Sequence, residues 1–459
     1  MTLISINPAT GDTIRLYEEH TPDEVTKRIE KAHRAFGSWR RRDVEARTAV
    51  LTRAAAELRA KKEDHARLMA LEMGKPIRDG RGEVEKCAWV CEYYAAHGAE
   101  MLRPESVPTD AGRSYVAFQP IGALLAVMPW NFPFWQLFRF AAPALIAGNT
   151  VLLKHASNVS GCALVLEELF ARAGIPDGVF QTLLIGSRKV APVIDHPLIQ
   201  GVSLTGSTAA GRAVASAAAA RLKKTVLELG GSDPYIILED APLEETAAIC
   251  AASRLLNSGQ SCIAAKRFIV LESIREAFEA RFVEIMSAAR VGDPFDESVQ
   301  IGPQARSELR DNLHRQVRES IRRGARCLLG GEVPGGAGAF YPPTVLSGVR
   351  KGMPAFEEET FGPAAAVIGA RDEAEAVLIA NGTQFGLGAA VFTADRSRGE
   401  RLARDELEAG TCTVNGYVRS DPRLPFGGIK QSGLGRELSH YGIHEFVNIK
   451  TVSVFGEED

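Results

Sequence analysis

Apolar residues recur at helical spacing through the first hundred positions of the chain. The segment 21–24 (Thr-Pro-Asp-Glu) is a capping box with proline at the first helical position, and Val25 and Phe36 then fall on one helix face. Two further stretches with this spacing, 43–73 and 82–100, also predict helices. The first hundred residues are therefore predicted to be helical.

Beyond residue 114 the pattern changes to short apolar runs that alternate with helical stretches. The runs lie at 123–128, 150–154, 180–185, 202–205 and 225–229, and then at 235–238, 267–271, 389–393 and 411–415. Helical stretches at 162–173, 209–220, 243–257 and 274–289 separate several of them. Short apolar strands joined by helices indicate parallel sheets covered on both faces. The predicted fold class is α/β, with two Rossmann-like doubly wound parallel-sheet domains that meet near 231–234.

Two segments alternate between apolar and polar residues but belong to neither series of strands. They lie at 114–119 and 447–454. Such segments can form a protruding β arm that pairs with another subunit, or an edge hairpin on their own domain.

Composition narrows the function classes. With 459 residues, the chain is expected to form two or three domains, and its net charge of −3 predicts no general attraction to nucleic acid or to an anionic membrane. No stretch is apolar and long enough to span a bilayer, and the N-terminus lacks a signal-peptide pattern. Seven scattered cysteines predict reduced thiols and a cytoplasmic location, and Cys87 and Cys91 are expected to be a buried pair rather than metal ligands.

The candidate chemistry lies in three short segments. Glu228 ends an apolar run just before a Gly-Gly break, Cys262 follows a helical stretch and Gly259, and Asn131 precedes Phe-Pro. A thiol and a carboxylate at the ends of regular elements indicate covalent catalysis with a general base. Each residue alone also has a structural interpretation, as a core thiol, a strand-end carboxylate and a turn former respectively. The combination of the three favours a catalytic site.

A glycine-rich turn joins a strand to a helix at 206–211. Gly206, Ser207 and Gly211 stand where a strand ends and an alanine-rich helix begins, a place where free N–H groups and the helix dipole attract phosphate. The GxxxxG spacing matches neither the dinucleotide fingerprint GxGxxG nor a P-loop. A purely structural turn remains an equal alternative.

Taken in order, these segments resemble the aldehyde dehydrogenase superfamily over almost the whole chain. The segments are 129–133, Lys154, 206–208, 228–231, 259–262, 359–363 and 425–428. The compact N-terminus and the segment 433–439 are most similar to the succinate-semialdehyde dehydrogenase branch. The resemblance implies a cofactor-binding domain (1–113 and 126–231, with 431–444), a catalytic domain (232–430) and an oligomerisation arm (114–125 and 445–459). It also implies a homodimer or homotetramer.

The resemblance implies a role for each catalytic candidate. Cys262 would add to the aldehyde carbon, and the oxyanion would lie between the Asn131 amide and the Cys262 backbone N–H. Hydride transfer to a nicotinamide would leave a thioester, which water activated by Glu228 would hydrolyse to a carboxylic acid. An ordinary thiol, with a pKa of about 8.5, is only a few per cent ionised at neutral pH, so Cys262 needs activation.

The same resemblance implies a set of cofactor contacts and leaves NAD and NADP open. The set consists of Trp130, Lys154, Ser157, Gly206, Ser207, Gly211, Leu229, Glu359 and Phe361. Lys154 would bind the adenosine ribose and Glu359 the nicotinamide ribose. NAD-preferring members often carry a glutamate where this chain has Ser157. Because serine does not repel a 2′-phosphate, NADP is expected to be accepted.

The substrate is expected to be a short aldehyde with a distal carboxylate, succinate semialdehyde first. Arg139 lies two helical turns after Asn131, where it could face the substrate tunnel and pair with a carboxylate. Ser420 matches the succinate-semialdehyde branch, and Phe426, which lies in a superfamily segment, is also expected to contact the substrate. Leu256 replaces a second arginine that the branch often has, and Arg419 or Arg423 could supply the missing charge. The alternative for Arg139 is an internal salt bridge. The chain also has Phe140 where some members have a proton-relay lysine, and it keeps Glu437.

Other functions would use only part of these segments. The protein could act on another small aldehyde, or could be a CoA-acylating aldehyde dehydrogenase, although Glu228 favours hydrolysis. A non-catalytic protein would not need Cys262, Glu228 and Asn131 together. A nicotinamide-independent acyltransferase or thiol hydrolase would leave the cofactor segments unexplained. No metal is expected.

Overall fold

The computed structural model describes residues 2–456; Met1 and the last three residues of the predicted arm, 457–459, lie outside that range. The α-helices are α1 Pro22–Trp39, α2 Val44–Ala60, α3 Lys62–Met73, α4 Ile77–Met101, α5 Trp135–Ala147, α6 Ser160–Arg172, α7 Val190–Asp195, α8 Thr208–Ala219, α9 Leu243–Leu255, α10 Arg275–Ser287, α11 Ser307–Arg322, α12 Pro354–Glu357, α13 Glu373–Asn381, α14 Arg396–Arg401 and α15 Ser439–Glu445. Among residues 2–456, no helix is long and apolar enough to cross a membrane.

The strands form two large sheets and two small ones. They are β1 Thr2–Ile6, β2 Thr13–Glu18, β3 Glu105–Ser106, β4 Arg113–Pro120, β5 Ala123–Met128, β6 Thr150–His155, β7 Phe180–Thr182, β8 Ile199–Thr205, β9 Lys224–Glu228, β10 Pro234–Ile237, β11 Arg267–Leu271, β12 Arg326–Leu329, β13 Thr344–Ser347, β14 Ala364–Ala370, β15 Gly388–Phe392, β16 Thr411–Val414, β17 Gly433–Leu434 and β18 Val447–Val454. Every strand predicted from an apolar run is present, and the α/β fold class with doubly wound parallel sheets is confirmed.

The first large sheet has six strands in the order β17-β9-β8-β5-β6-β7. Its strands are parallel except β17, which pairs antiparallel with β9. Successive residues of β5 enter two different cores: Leu124 and Ala126 face one, and Ala123 and Leu125 face the other. A strand buried on both faces needs apolar residues at every position, which explains the unbroken run.

The second large sheet has seven strands in the order β12-β13-β14-β11-β10-β15-β16. All neighbours are parallel except β12 and β13. The link between the two sheets is short, because β9 ends at Glu228 and β10 begins at Pro234. The end of β9 therefore lies at the junction of the sheets, where residues from both can converge.

The small sheets differ partly from the expectation. Strands β1 and β2 form an antiparallel hairpin within the first hundred residues, which were predicted to be helical throughout. Strands β4 and β18 pair antiparallel in a separate sheet of order β18-β4-β3, so the two alternating segments lie next to each other in one chain.

Candidate active site

Glu228 is the last residue of β9, and a returning segment of the chain holds it there. Gly433 of β17 pairs with Glu228, and the Ser432 carbonyl accepts a 2.8 Å hydrogen bond from the Leu229 N–H. Ser432 Oγ donates to the Gly230 carbonyl at 2.7 Å. The backbone around the carboxylate is therefore fixed on both sides, while the side chain is buried.

Cys262 follows a loop with an unusual backbone. Asn257, Ser258 and Gly259 all have positive φ, at 53°, 57° and 75°. A Cβ on Gly259 would lie 2.2 Å from the Gly362 carbonyl carbon, so only glycine fits there. Such strained loops persist where surrounding contacts determine them, and they concentrate at functional sites. The loop places the Cys262 side chain at a partly buried position.

Asn131 is hydrogen-bonded to the same loop. Its Nδ2 donates to the Gln260 carbonyl at 3.1 Å, and Asn257 Nδ2 donates to the Asn131 carbonyl at 2.8 Å. An amide carries two N–H groups, so one remains for an oxyanion. Folding thus brings Asn131 next to the Cys262 loop, and its role toward an oxyanion stays a prediction.

Two cations lower the cost of ionising Cys262. Burial raises the pKa of its thiol to about 12, while Arg139 and Lys266 act in the opposite direction. Lys266 Nζ donates to the Ser261 and Cys262 carbonyls at 3.0 and 2.6 Å, and it lies 3.8 Å from Glu359 Oε1. The thiol is consequently protonated at neutral pH, and a base or the bound substrate and cofactor must activate it.

Arg139 forms an internal ion pair. Its guanidinium pairs with Glu437, donates to Thr205 Oγ1 at 3.3 Å and lies 4.7 Å from the centre of the Phe426 ring. Burial raises the pKa of Glu228 well above its usual range, Arg139 opposes that shift, and Glu437 adds to it. The internal salt bridge considered from the sequence is therefore formed, and Arg139 also acts on the Glu228 carboxyl.

A cavity of about 480 Å³ opens onto the Cys262 side chain. We call it the Cys262 cavity; its charged and polar wall consists of Arg78, Asp79, Glu83, Lys86, Gln136, Arg139, Asn257, Ser261, Arg419, Ser420, Asp421 and Arg423, and its apolar wall of Trp89, Phe132, Trp135, Leu256, Ile263, Tyr417 and Phe426, with Gly82 completing it. The predicted substrate residues Arg139, Ser420 and Phe426 all lie on this wall. The other two catalytic candidates, Asn131 and Glu228, are not among the residues of this wall.

The predicted phosphate site has the form that an anion requires. Ser207 caps α8 by accepting the Ala210 N–H at 3.3 Å, and the first turn of that helix leaves backbone N–H groups without intrahelical partners. A Cβ on Gly211 would lie 2.6 Å from Leu229, so the absence of a side chain lets the helix pack against the residue after Glu228. The turn, which includes Gly206, is therefore both structural and open to a phosphate.

The remaining predicted cofactor residues lie around the ends of β6 and of the short helix α12. Lys154 is buried near the end of β6, and burial lowers the pKa of its amine. Ser157 is exposed three residues later. Trp130 and Phe361 meet edge to face with ring centres 5.7 Å apart, and Glu359 Oε1 accepts the Gly231 N–H at 2.9 Å. A buried lysine and a free helix N-terminus fit a nicotinamide dinucleotide.

Several site residues were missed by reasoning from the sequence. Lys86 and Trp135 line the Cys262 cavity, and Lys266 bonds the backbone of Cys262. Lys86 has the neighbours of an ordinary helix residue, and Lys266 stands next to another basic residue at the start of a strand. Only Trp135 carried a signal, as an aromatic residue one helical turn before Arg139.

Replacing Arg139 with methionine should lower the free energy of unfolding by about 3–5 kcal/mol, because Glu437 would then be a buried carboxylate without its cation. Urea unfolding measures the loss. The double variant Arg139→Met/Glu437→Gln should regain most of it, since no charge is left unpaired. Arg423→Met is the matched control, because its pair with Asp421 is exposed on the arginine side. Equal stability of the Arg139→Met and wild-type proteins would contradict the assignment.

The chain is similar to known aldehyde dehydrogenases in sequence and in overall structure. The model of the aldehyde dehydrogenase family matches residues 1–452. The chain is 48% identical over 452 residues to a probable succinate-semialdehyde dehydrogenase [NADP(+)] of Synechocystis sp., covering 98% of this chain and 99% of the relative. It is 47% identical over 449 residues to a succinate semialdehyde dehydrogenase [NAD(P)+] of Escherichia coli, covering 98% and 97%. The structure of a Streptococcus pyogenes succinic semialdehyde dehydrogenase with NADP+ superposes with a TM-score of 0.97 at 36% identity, covering 99% of this chain and 100% of that one.

Proposed function

The chain belongs to the aldehyde dehydrogenase family, and on that premise we propose that it oxidises succinate semialdehyde to succinate with NADP or NAD. The observation that supports this substrate class is the charge of the Cys262 cavity. Five basic residues and three acidic ones line the wall of this cavity, which opens onto the Cys262 thiol. A positive wall of this kind attracts a carboxylate. The relatives named above act on the same aldehyde according to their names.

The residues at the site divide the chemistry between them. Cys262 passes its thiol proton to Glu228 through water and adds to the aldehyde carbon. The resulting oxyanion accepts hydrogen bonds from the free Asn131 N–H and the Cys262 backbone N–H. Losing one such donor typically costs about 3 kcal/mol of transition-state stabilisation. The nicotinamide, when bound, would supply the acceptor for the hydride that leaves this carbon, so that Cys262 then carries an acyl group as a thioester. Glu228 takes a proton from water, which cleaves the acyl–sulfur bond and releases the acid and the thiol.

The cofactor would be held by the part of the chain built on the first large sheet. Lys154 lies near the end of β6 and the α8 N-terminus follows β8 in the same sheet, while Trp130, Glu359 and Phe361 lie nearer the Cys262 loop. Residues of the second large sheet and its loops would carry the nucleophile. We propose that this division follows the cofactor-binding and catalytic domains that the resemblance implies.

The direct test measures NAD(P)H absorbance with purified protein, succinate semialdehyde and no CoA. We expect turnover and stoichiometric succinate, with a kcat/KM that exceeds the value for butanal, an uncharged aldehyde of the same length. A protein that needs CoA would be the acylating enzyme instead. A protein that prefers butanal would overturn the proposed substrate but not the aldehyde dehydrogenase chemistry.

Cofactor choice depends on the residue at position 157. Ser157→Glu should lower kcat/KM for NADP relative to NAD by about 10- to 100-fold, because a carboxylate there repels the 2′-phosphate. Ser157→Gln controls for side-chain size without adding charge and should leave the ratio within a few-fold of the wild-type value. A wild-type preference for NAD above a hundredfold would contradict the acceptance of NADP.

We also propose that the protein is a cytoplasmic homodimer or homotetramer. Its seven cysteines are all free thiols, which suits a reducing compartment. Within residues 2–456, β18 pairs on one side only, and Ile449 on that strand is 59% exposed. An open strand edge with an exposed apolar side chain is suited to pairing between subunits. Light scattering coupled to size exclusion measures the subunit count, and a monomer would contradict it.

A further inference from the structure

Most of the cations around the Cys262 cavity already have carboxylate partners. Arg139 pairs with Glu437, and Arg423 pairs with Asp421 at 2.7 Å. Arg78 lies 3.8 Å from Asp79. Since their charges are matched within the protein, none of these arginines needs a substrate carboxylate.

Lys86 is different. Its Nζ donates to Ser420 Oγ at 2.8 Å and lies 4.3 Å from the centre of the Trp135 ring. Among residues 2–456, no carboxylate lies within 4 Å of it, because the two nearby acids are engaged elsewhere: Glu83 pairs with Lys75, and Asp421 pairs with Arg423. The ammonium thus belongs to a partly buried side chain without a carboxylate partner, on the wall of the cavity that reaches Cys262.

Such a cation is costly unless an anion joins it. An ammonium has three N–H donors, of which Ser420 uses one. The remaining donors and the unmatched charge suit one carboxylate, while the face of Trp135 partly compensates the charge before that carboxylate arrives. The Ser420 hydroxyl can donate to the same carboxylate once it accepts from the ammonium.

We infer that Lys86, positioned by Ser420 and Trp135, binds the distal carboxylate of the aldehyde substrate and selects carboxylate-bearing aldehydes over uncharged ones. The inference rests on the proposed function for its substrate. It assigns the carboxylate to a lysine of α4, whereas the sequence assigned it to Arg139. Arg139 keeps its place on the wall as the partner of Glu437.

The test compares Lys86→Met with the wild-type protein on succinate semialdehyde and on butanal. Methionine keeps the length of the side chain and removes the charge. We expect kcat/KM for succinate semialdehyde to fall by at least about 30-fold, mainly through KM, and kcat/KM for butanal to change less than threefold. Lys86→Arg should retain part of the selectivity. Lys62→Met is the matched control, because Lys62 forms a surface pair with Glu85 next to Lys86 in sequence and outside the cavity.

Two outcomes would overturn the inference: equal losses on both aldehydes, and no loss on either. Failure of the proposed function gives a different result, namely a wild-type protein that does not favour succinate semialdehyde over butanal. In that case succinate is tested as an inhibitor of butanal oxidation. The inference stands if succinate inhibits the wild-type protein and Lys86→Met weakens inhibition at least tenfold, and it falls if succinate does not inhibit.

The ratio of the two kcat/KM values should also depend on pH. Burial lowers the pKa of Lys86 to about 8, and the charged groups that act on it are Glu83 and Cys87 on α4, Arg139 on α5 and Asp421. As pH rises through that value the ammonium loses its charge, so preference for succinate semialdehyde should decline. Changes at Cys262 and Glu228 affect both aldehydes and cancel in the ratio. A pH-independent ratio that Lys86→Met does not alter would contradict the inference.

Discussion

Replacing Cys262 with alanine should lower kcat by about 10⁴- to 10⁶-fold, because Cys262 is the one thiol on the wall of the Cys262 cavity among residues 2–456. In residues 2–456, the other half-buried thiol is Cys412, on β16 of the second sheet and absent from the wall of the Cys262 cavity. Cys412→Ala is therefore the matched control and should keep near-normal activity. Cofactor binding, monitored by the quenching of tryptophan fluorescence, should persist in both variants.

The pH dependence of Cys262 alkylation separates this role from a structural one. Because burial raises the pKa of the thiol to about 12, iodoacetamide should react slowly with the free protein at neutral pH and faster as pH rises. A Cys262→Ala protein that keeps more than about 1% of wild-type kcat would rule out the covalent route.

Replacing Glu228 with glutamine should lower steady-state kcat by about 10²- to 10⁴-fold while leaving acylation largely intact. Glutamine preserves the buried shape but cannot accept a proton from water. NAD(P)H formation should show a burst of one NAD(P)H per active site and then nearly stop. Intact-mass spectrometry should detect an acyl adduct on Cys262. Glu279→Gln is the control, because Glu279 is a buried carboxylate that bonds Ser347 in another part of the fold.

The dependence of kcat on pH should reflect the direction of the pKa shift of Glu228. Burial and Glu437 raise the pKa of Glu228, so the carboxylate is protonated over a wider pH range than an exposed one, and hydrolysis should speed up as pH rises from neutral. Arg139→Met removes the charge that most opposes this shift and should move that rise to higher pH. A wild-type kcat that falls with rising pH, or a Glu228→Gln protein without a burst, would contradict the role of the base.

The sequence predicted the buried parallel strands well because strands covered on both faces must be apolar throughout. The sequence did not predict the β1–β2 hairpin, because β1 lacks a continuous buried apolar run. In β1 the buried residues are Leu3 and Ser5, while Ile4 and Ile6 are 46% and 44% exposed, so the alternation is inverted. It also missed β14, which begins with three alanines, a residue depleted in strands.

At the site, the residues with a motif were located and the residues without one were not. Cys262 and Asn131 converge as expected, because each stands in a distinctive segment. The pairing of Arg139 with Glu437 joins positions 298 apart in the chain. No spacing rule links two residues so far apart in the chain. Only the folded structure shows which carboxylate pairs with a buried arginine.

The strand β17 has a consequence for how the molecule matures. Glu228 is held by Gly433 and Ser432, which the ribosome adds long after β9 has been made. A nascent chain can complete its first sheet only up to β9. Almost the entire chain must be synthesised before β17 can pair with β9 and fix the position of Glu228. Catalytic competence therefore arises late in biosynthesis, and a chain cut short before position 432 would be inert however well its earlier elements had folded.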